Sequence, residues 1–384
     1  MPKVLALLFE TGLNQPLPGV QSDAPAATIP FWGSFHFFDF VLGNLSAVDQ
    51  TSFVFVVDAR NRDFVHYAHR RWDRLSIKSL VLEDGGDQLN DLIRKSNADV
   101  VIASNLSFVA LFDGETLIKK ALRSGVPQAA RISIQSISVD IFVGSRDRFL
   151  DVFGNADFER HVPDSPSDYV RHFFDGVIRQ SFQAVCEVPG KVLFQESIWQ
   201  FCTGNRWLVE NIENSGHRIL ISRLDSARML EKDSYIGSAA YVKDSVVSPG
   251  VEIDGYVEGS LIFSGCTVRR NSKIVDSVIM NNNCIGEAAE ISNTVLFPYE
   301  HGSSRPEANI GERARLGGSS KYVRNRDFPK HIQGITVVGM NADIPAGFVA
   351  EPGCLIDSNV SRDQLRRLVS LRKGSSVFAD SHGQ

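Results

Sequence analysis

The sequence has few cysteines and no long apolar run, and each shortage excludes a class of protein. Its five cysteines are odd in number, widely spaced and without a CxxC pair, which argues against a disulfide framework and against a zinc site. The apolar run Val4–Phe9 is shorter than a signal-peptide core, and no other run approaches membrane-spanning length. We therefore expect a cytoplasmic protein without a membrane partner.

An excess of positive charge is also missing. The chain has 40 lysines and arginines against 45 aspartates and glutamates, which gives a formal net charge of -5. This balance supplies no overall basic field, so we expect no nucleic-acid partner. The 384 residues are 43% hydrophobic and 22% charged, which is ordinary for globular chains and long enough for two domains.

The first 212 residues alternate short β-branched runs with helical patterns. Glu115–Arg123 places its apolar residues on one face, and Asp168–Gln180 repeats apolar residues at helical spacing, with Ser167 available as N-cap. The best candidates for strands are Val4–Phe9, Phe53–Asp58, Val100–Ser104 and Ser138–Gly144. Strands that alternate with helices indicate an α/β domain over residues 1–212, with a mainly parallel sheet covered on both faces.

The second half of the chain carries an internal repeat. A tetrapeptide of the type Asp-Ser-Val-Val begins at residues 244, 259, 276 and 293, and apolar residues return about every sixth position. Each six-residue step can form one flat side of a triangular coil, so three steps close one turn. We therefore predict a left-handed parallel β-helix (hexapeptide repeat) over residues 213–373. The alternative is an antiparallel sandwich with evenly spaced turns.

Some stretches of the second half depart from this rhythm. Residues 297–331 carry three prolines and indicate a loop excursion, although Ala308–Leu316 resembles one more coil. Ser361 and Gln364 have capping-box spacing and predict a short C-terminal helix, whose leucines could cover the open end of the coil. Residues 374–384 are expected to be a disordered tail.

Two motifs of the first half, together with the β-helix, resemble one enzyme family. Residues 29–44 read I-P-F-W-G-S-F-H-F-F-D-F-V-L-G-N, similar to A-V-P-F-G-G-K-Y-R-L-I-D-F-x-L-S-N, and Val139–Val143 is similar to M-G-I-Y-V. The chain thus resembles the ADP-glucose pyrophosphorylase (glucose-1-phosphate adenylyltransferase) family over nearly its whole length. The resemblance implies a nucleotidyltransferase that joins glucose 1-phosphate to ATP with Mg²⁺ assistance and releases pyrophosphate. It also implies assembly as a tetramer.

The family's first loop, G-G-x-G-x-R-L, falls on residues 11–17, and most of its functional groups are replaced. Of its three glycines only Gly12 remains, and Pro16 stands where the resemblance expects the arginine that contacts the transferring phosphate. Ala26 stands where the resemblance expects the lysine of R-A-K-P. Two expected cations are therefore absent, one from this loop and one from the R-A-K-P segment, and the loop also lacks the glycines that let backbone amides approach a triphosphate.

The residues expected to hold Mg²⁺ are also replaced. The aspartate of the family's L-A-G-D falls on Asn105, and the second aspartate, in W-R-D-V-G-T, falls on Gln200. Neutral amides are poor substitutes, because Mg²⁺ is usually held by carboxylates together with substrate phosphates. The family's sugar-phosphate motif E-K-P has no counterpart between Gly125 and Ser138.

Together these replacements lead to the hypothesis of a pseudoenzyme, with no catalytic residues, no metal site and no cofactor. It would be a catalytically impaired regulatory or structural subunit in glycogen or related glucan synthesis, assembled with itself or with a catalytic paralogue. A sugar phosphate or nucleotide could still bind without catalysis. The residues predicted to contact it are Gly12, Asn14, Gln15, Asn105 and Gln200.

Clusters of cations elsewhere could bind a phosphorylated effector, because the fork of an arginine matches phosphate geometry. The alternative for both clusters is ordinary solvated surface. Asp39 could face a ligand or act as the N-cap of the helix that follows it, and its position favours capping. The candidate effector residues are Arg70, Arg71, Arg74, Lys321, Arg324, Arg326 and Lys330.

Two further functions remain open at this stage. The first is a working sugar-1-phosphate nucleotidyltransferase, which would need Mg²⁺ and metal ligands at other positions. The second is an acyltransferase or ligand sensor built on the β-helix, with His301 on a loop as a candidate catalytic base.

Overall fold

The computed structural model describes residues 2–13, 17–20, 25–33, 35–82, 87–123, 129–154, 169–182, 184–211, 233–300, 308–320 and 322–380. The strands of the first domain are β1 Val4–Phe9, β2 Pro30–Phe31, β3 Phe35–His36, β4 Thr51–Val57, β5 Ile77–Val81, β6 Val100–Asn105, β7 Val109–Phe112, β8 Ala129–Ile134, β9 Ile137–Ser145, β10 Val185–Glu187 and β11 Gly190–Phe194. Its helices are α1 Phe37–Leu45, α2 Arg62–Arg71, α3 Asp87–Ser96, α4 Gly114–Arg123, α5 Arg146–Gly154, α6 Tyr169–Phe173, α7 Arg179–Ser181 and α8 Ile198–Asn211.

The second domain is built from short strands, followed by one helix and two more strands. The strands before the helix are β12 Tyr235–Ile236, β13 Tyr241–Lys243, β14 Val246–Val247, β15 Glu252–Ile253, β16 Tyr256–Glu258, β17 Leu261–Ile262, β18 Thr267–Val268, β19 Lys273–Val275, β20 Val278–Ile279, β21 Cys284–Ile285, β22 Glu290–Ser292, β23 Thr294–Leu296, β24 Arg315–Gly317, β25 Thr336–Val338, β26 Val349–Ala350 and β27 Leu355–Ile356. Helix α9 Arg362–Arg366 follows, then β28 Ser370–Leu371 and β29 Ser376–Val377. Among the described residues, no helix is both long and apolar enough to cross a membrane.

A seven-stranded sheet forms the centre of the first domain, in the order β10-β8-β9-β6-β1-β4-β5. Strands β6, β1, β4 and β5 are parallel, β10 is parallel to β8, and β9 is antiparallel to both of its neighbours. All six residues of β1 are buried, because helices and the second domain cover both faces. The predicted α/β domain with a mainly parallel sheet is confirmed.

Helix α1 begins on a buried charged cluster, which consists of the ion pair between Asp39 and Arg71 and the neutral side chain of Trp72 that donates to it. The N-cap of α1 is His36, and Asp39 is the third helical residue. The prediction that Asp39 is the N-cap is therefore wrong, because the N-cap lies three residues earlier. The Asp39 carboxylate accepts hydrogen bonds from His36 N (2.8 Å), Arg71 Nε (2.8 Å) and Trp72 Nε1 (2.7 Å). Burial acts to raise the pKa of Asp39, but its bond to His36 and the charge of Arg71 lower it overall.

The segment predicted as a single helix over Asp168–Gln180 contains a π-helical turn. It is helical from Tyr169 to Ser181, with the π turn at Phe174–Ile178, and both Ser167 and Asp168 lie outside the described residues. The wider turn lets two successive rings pack on the end of β1, since the centroids of Phe173 and Phe174 lie 6.0 and 5.2 Å from that of Phe9. This packing fixes α6 beside the loop that follows β1.

The second domain is a parallel coil with three sheets, as its six-residue rhythm predicts. Every pairing between its described strands is parallel, which excludes the antiparallel sandwich. The apolar residues of successive coils stack inside, as in the register of Ile253 with Val268 and of Val268 with Ile285. Each coil buries only a few side chains, so the coil depends on stacking for its stability.

The predicted excursion over residues 297–331 contains one more coil. Ile310 bridges Ile285 and Ile344, and β24 pairs with β22, which confirms the resemblance of Ala308–Leu316 to a coil and shortens the excursion. The C-terminal helix is confirmed, with Ser361 Oγ accepting from Gln364 N. The expected disordered tail over residues 374–384 is corrected for residues 374–380, because β29 pairs with β27 and continues the third sheet, whereas residues 381–384 lie outside the described residues.

The two domains share one apolar core. Leu261, Val278 and Val295 lie on the outer face of one coil sheet and belong to the same buried cluster as the face of the α/β sheet that carries α1. The ring centroids of Phe201 on α8 and Phe297 after β23 are 6.1 Å apart. The coil therefore packs against the first domain and covers part of its apolar core.

The loop after β1 also contacts the coil directly, through Gly19. Gly19 N donates to Asp357 Oδ1 (3.2 Å), and Met340 N donates to the Gly19 carbonyl (2.9 Å). The φ of Gly19 is +85°, and a Cβ there would lie 3.1 Å from the Cα of Gly339. Only glycine fits this position without strain.

Asp39→Asn tests the buried charged cluster. We expect it to lower the free energy of unfolding by about 3 to 5 kcal/mol, because Arg71 is left buried without its counter-charge. Denaturant unfolding followed by circular dichroism measures the loss. Glu115→Gln, which removes the exposed pair with Lys119, is the matched control and should cost less than about 1 kcal/mol. Equal losses in the two variants would contradict the assignment.

Candidate ligand-binding site

The carboxyl ends of β1 and β6 meet at the centre of the main sheet. Strands β4 and β5 lie on one side of β1 and β6 lies on the other, which makes this end a topological switch point, where open α/β sheets bind their ligands. Phe9 and Asn105 are paired in register there. We define the candidate site as the segments that continue from this end, Glu10–Leu13 and Asn105–Ser107, together with Ala26 and Ala27.

Glu10 organises the first of these segments. One oxygen of its carboxylate, Oε1, accepts hydrogen bonds from Gly12 N (2.8 Å) and Ala26 N (3.0 Å), and the other, Oε2, accepts from Ala27 N (2.8 Å). The side chain is almost completely buried. Backbone N–H groups that converge on one point form an anion site, and here the anion is the protein's own carboxylate.

The buried position of Glu10 changes its ionisation. Burial raises its pKa from the ordinary value of 4.5 to about 7, against the opposing effect of the three backbone N–H bonds. The charge of Asp58, at the end of β4, adds to the increase. The group that closes the loop therefore titrates near neutral pH.

Arg171 holds the other side of the same loop. Its Nε donates to the Thr11 carbonyl (2.7 Å) and its Nη2 donates to the Leu13 carbonyl (2.9 Å). A Cβ at Gly12, whose φ is +69°, would lie only 2.6 Å from Arg171 Nη2. The surviving glycine of the loop is thus required for the close approach of this guanidinium.

The two amides at the expected metal positions are engaged by backbone groups. Asn105 Oδ1 accepts from Ser107 N (2.8 Å). Gln200, the third residue of α8, accepts at Oε1 from Glu196 N (3.0 Å), and its own N–H donates to Ser197 Oγ (3.2 Å), as expected for an N-cap serine. No hydrogen bond joins Asn105 to Gln200 in the described part of the chain. These residues do not fit a Mg²⁺ site, because their oxygens already accept and neither carries charge.

Other groups in the described ranges do not replace the missing ligands. Over these ranges, no set of three or more histidine, cysteine, aspartate or glutamate side chains is placed to hold a metal ion. Of the remaining predicted positions, Ala26 lies in a buried turn and contributes only its backbone N–H to the site. Asn14, Gln15 and Pro16 lie outside the described residues.

The candidate effector residues differ in their environments. Arg70 and Arg74 are exposed, but Arg71 is buried against Asp39, so its charge is committed within the fold and not displayed at a surface. This corrects the expectation of an exposed Arg71. Arg324, Arg326 and Lys330 are exposed on the segment that leaves the coil after β24, whereas Lys321 and His301 lie outside the described residues.

Two residues of the site are missing from the sequence-based prediction. Glu10 had a signal, because a carboxylate directly after an apolar strand enters the carboxyl-end region of a sheet. Arg171 had none, since it lies 160 residues beyond Thr11 and belongs to a helix predicted from its apolar face alone.

Comparison with known proteins supports part of the resemblance. A family model described as "GlmU-like, C-terminal hexapeptide" matches residues 226–338. A glucose-1-phosphate adenylyltransferase from Acetivibrio thermocellus is 30% identical over 144 residues, which are 38% of this chain and 32% of that protein. Glucose-1-phosphate adenylyltransferases from Bacillus thuringiensis and Bacillus mycoides are each 33% identical over 94 residues, 23% of this chain and 25% of each relative.

These similarities confirm a hexapeptide-repeat domain and a partial likeness to glucose-1-phosphate adenylyltransferases. The chain spans between 25% and 32% of the length of these relatives, so the likeness does not carry their whole activity.

The titration of Glu10 gives a test of the site. Its pKa is higher in the folded state than in the unfolded state, so the stability it contributes is complete below pH 4.5 and is lost as the pH rises through 7. Relative to Glu10→Gln, the wild type should lose up to about 3 kcal/mol of unfolding free energy between about pH 5 and about pH 8. Denaturant unfolding at a series of pH values measures this difference.

Glu115→Gln is the control for the pH series, because its carboxylate lies on the surface of α4 and should leave the wild-type profile unchanged. Parallel pH profiles for the wild type and Glu10→Gln would show that the loop carboxylate does not titrate in this range.

Proposed function

We propose that this protein is a nucleotidyltransferase-like chain related to glucose-1-phosphate adenylyltransferases that does not catalyse the reaction. In this proposal it serves as a regulatory or structural subunit of a complex of that type in glycogen or related glucan synthesis. The observation that carries the proposal is the Glu10 carboxylate, which occupies the converging N–H groups of the loop.

Phosphoryl transfer requires positive charge and hydrogen-bond donors around the transferring phosphate. In this loop the N–H donors of Gly12, Ala26 and Ala27 are used by the Glu10 carboxyl group, whose ionised form would also repel a triphosphate. The amides of Asn105 and Gln200 supply no negative charge for Mg²⁺. Both changes oppose the same step, so each supports the loss of catalysis independently.

The rest of the proposal concerns assembly and ligands. The coil, which we take to be left-handed, presents a long surface for homo-oligomers or for a hetero-oligomer with a catalytic paralogue, with a tetramer as the expected form. A sugar phosphate or nucleotide remains the expected ligand of the candidate site, the cytoplasm the expected location, and no cofactor is expected. The apolar core shared by the sheet and the coil supports a structural role for this protein.

A pyrophosphate-release assay tests the proposal. With ATP, glucose 1-phosphate and Mg²⁺, the isolated chain should give no release above the background, because Glu10 occupies the N–H donors of Gly12, Ala26 and Ala27 and the expected metal positions lack carboxylates. The Acetivibrio thermocellus relative, assayed alone under the same conditions, is the positive control. Mg²⁺-dependent release by the isolated chain would overturn the loss of catalysis.

The subunit role needs a second measurement. The chain is mixed with the catalytic adenylyltransferase of its own organism, and the complex is measured by light scattering together with the rate of pyrophosphate release. We expect a mixed oligomer whose rate or effector response differs from that of the catalytic chain alone. Two separate species with an unchanged rate would contradict a hetero-oligomeric role and leave self-assembly as the only oligomeric form.

A further inference from the structure

Arg171 reaches the loop after β1 from a different part of the fold. It lies on α6, which is held against the end of β1 by the stacking of Phe173 on Phe9. The residue is half-buried, and its guanidinium lies at Gly12. The positive charge of Arg171 therefore comes from neither Pro16 nor Ala26, the two positions at which the family resemblance expects a cation.

Within the ranges that the structure describes, most of the hydrogen-bonding capacity of the Arg171 guanidinium is unused. An arginine has five N–H donors, and the bonds to the carbonyls of Thr11 and Leu13 use two of them. The other three have no acceptor among the described residues, and no ion pair there joins Arg171 to a carboxylate. Arg179, by contrast, pairs with both Asp140 and Asp175. The two bonds that Arg171 makes orient a charge that they do not neutralise.

A second donor without a partner lies at the same end of the sheet. Asn105 is fully buried, and its Nδ2 has no acceptor in the described part of the chain, although its Oδ1 is bonded to Ser107 N. A buried amide N–H without a partner costs free energy, which a bound acceptor would recover. Asn105 is in register with Phe9, directly before Glu10.

We propose that Arg171 and the Asn105 amide bind the phosphate group of a phosphate monoester at this end of the sheet. The inference rests on the ligand-binding part of the proposed function and names the groups that carry it. Donors fit an acceptor-only group such as phosphate, and the oriented guanidinium supplies the charge. Because Glu10 occupies the backbone N–H groups, the site accommodates one phosphate and excludes a triphosphate.

Calorimetric titration with glucose 1-phosphate, inorganic phosphate and ATP tests this site. The wild type should bind glucose 1-phosphate and inorganic phosphate more tightly than ATP. Arg171→Met should weaken binding of glucose 1-phosphate at least about tenfold, and Arg171→Lys should retain part of it, because charge remains without the fork. Asn105→Asp, which replaces the donor by a negative oxygen of the same shape, should also weaken binding.

The matched control is Arg148→Met. Arg148 lies on α5 and also donates to a backbone carbonyl, that of Ser181, so the substitution removes an equivalent charge and bond outside the site. We expect it to bind glucose 1-phosphate as the wild type does. Hydrogen exchange of the Gly12 and Leu13 amides in Arg171→Met reports separately on the role of Arg171 in holding the loop.

The outcomes separate the inference from the proposed function. Unchanged binding by Arg171→Met, with faster exchange of the loop amides, would make Arg171 only a structural latch and overturn the inference, while the ligand-binding proposal would stand. Absence of glucose 1-phosphate and inorganic phosphate binding to the wild type would overturn the inference together with the ligand-binding proposal. Neither result bears on the absence of pyrophosphate release, which its own assay measures.

Discussion

The three hydrogen bonds to the Glu10 carboxylate determine what the centre of this molecule can do. They connect the residue after β1 to the turn at Ala26 and Ala27, so the intervening loop is closed back on the strand from which it started. The aromatic run and α1 follow directly from that turn. The backbone N–H groups that converge at the end of β1 are therefore closed around a carboxyl group of the protein itself.

Two arginines illustrate how charge is used within this closed arrangement. Arg71 and Asp39 neutralise each other in the core, where the pair anchors α1 and contributes nothing to a surface. Among the described residues, Arg171 bonds only to carbonyl oxygens, which orient a guanidinium without cancelling its charge. The difference lies in the acceptor, because a carboxylate removes the field of an arginine and a carbonyl leaves most of it.

Much of the fold follows from local patterns, whereas the site does not. The coil was predictable because its six-residue period repeats many times. The strands of the first domain were predictable because each is a short apolar run with polar or turn-forming residues at its ends. The burial of Arg71 could also have been predicted, because Arg71 follows Ala68 by three positions and so lies on the same inner face of α2. The contacts of Glu10 and Arg171 could not be predicted. The closure of a loop produces no periodic pattern in the sequence, and neither does a contact between residues 160 positions apart.

Gly19 gives the loop a further property. The same segment that Glu10 closes at one end is fastened at its middle to the coil, through Asp357 and Met340. A ligand that displaces this segment must either carry the adjoining edge of the coil with it or break both bonds. The segment therefore connects the end of the main sheet to the coil, so a displacement of either one acts on the same few backbone atoms.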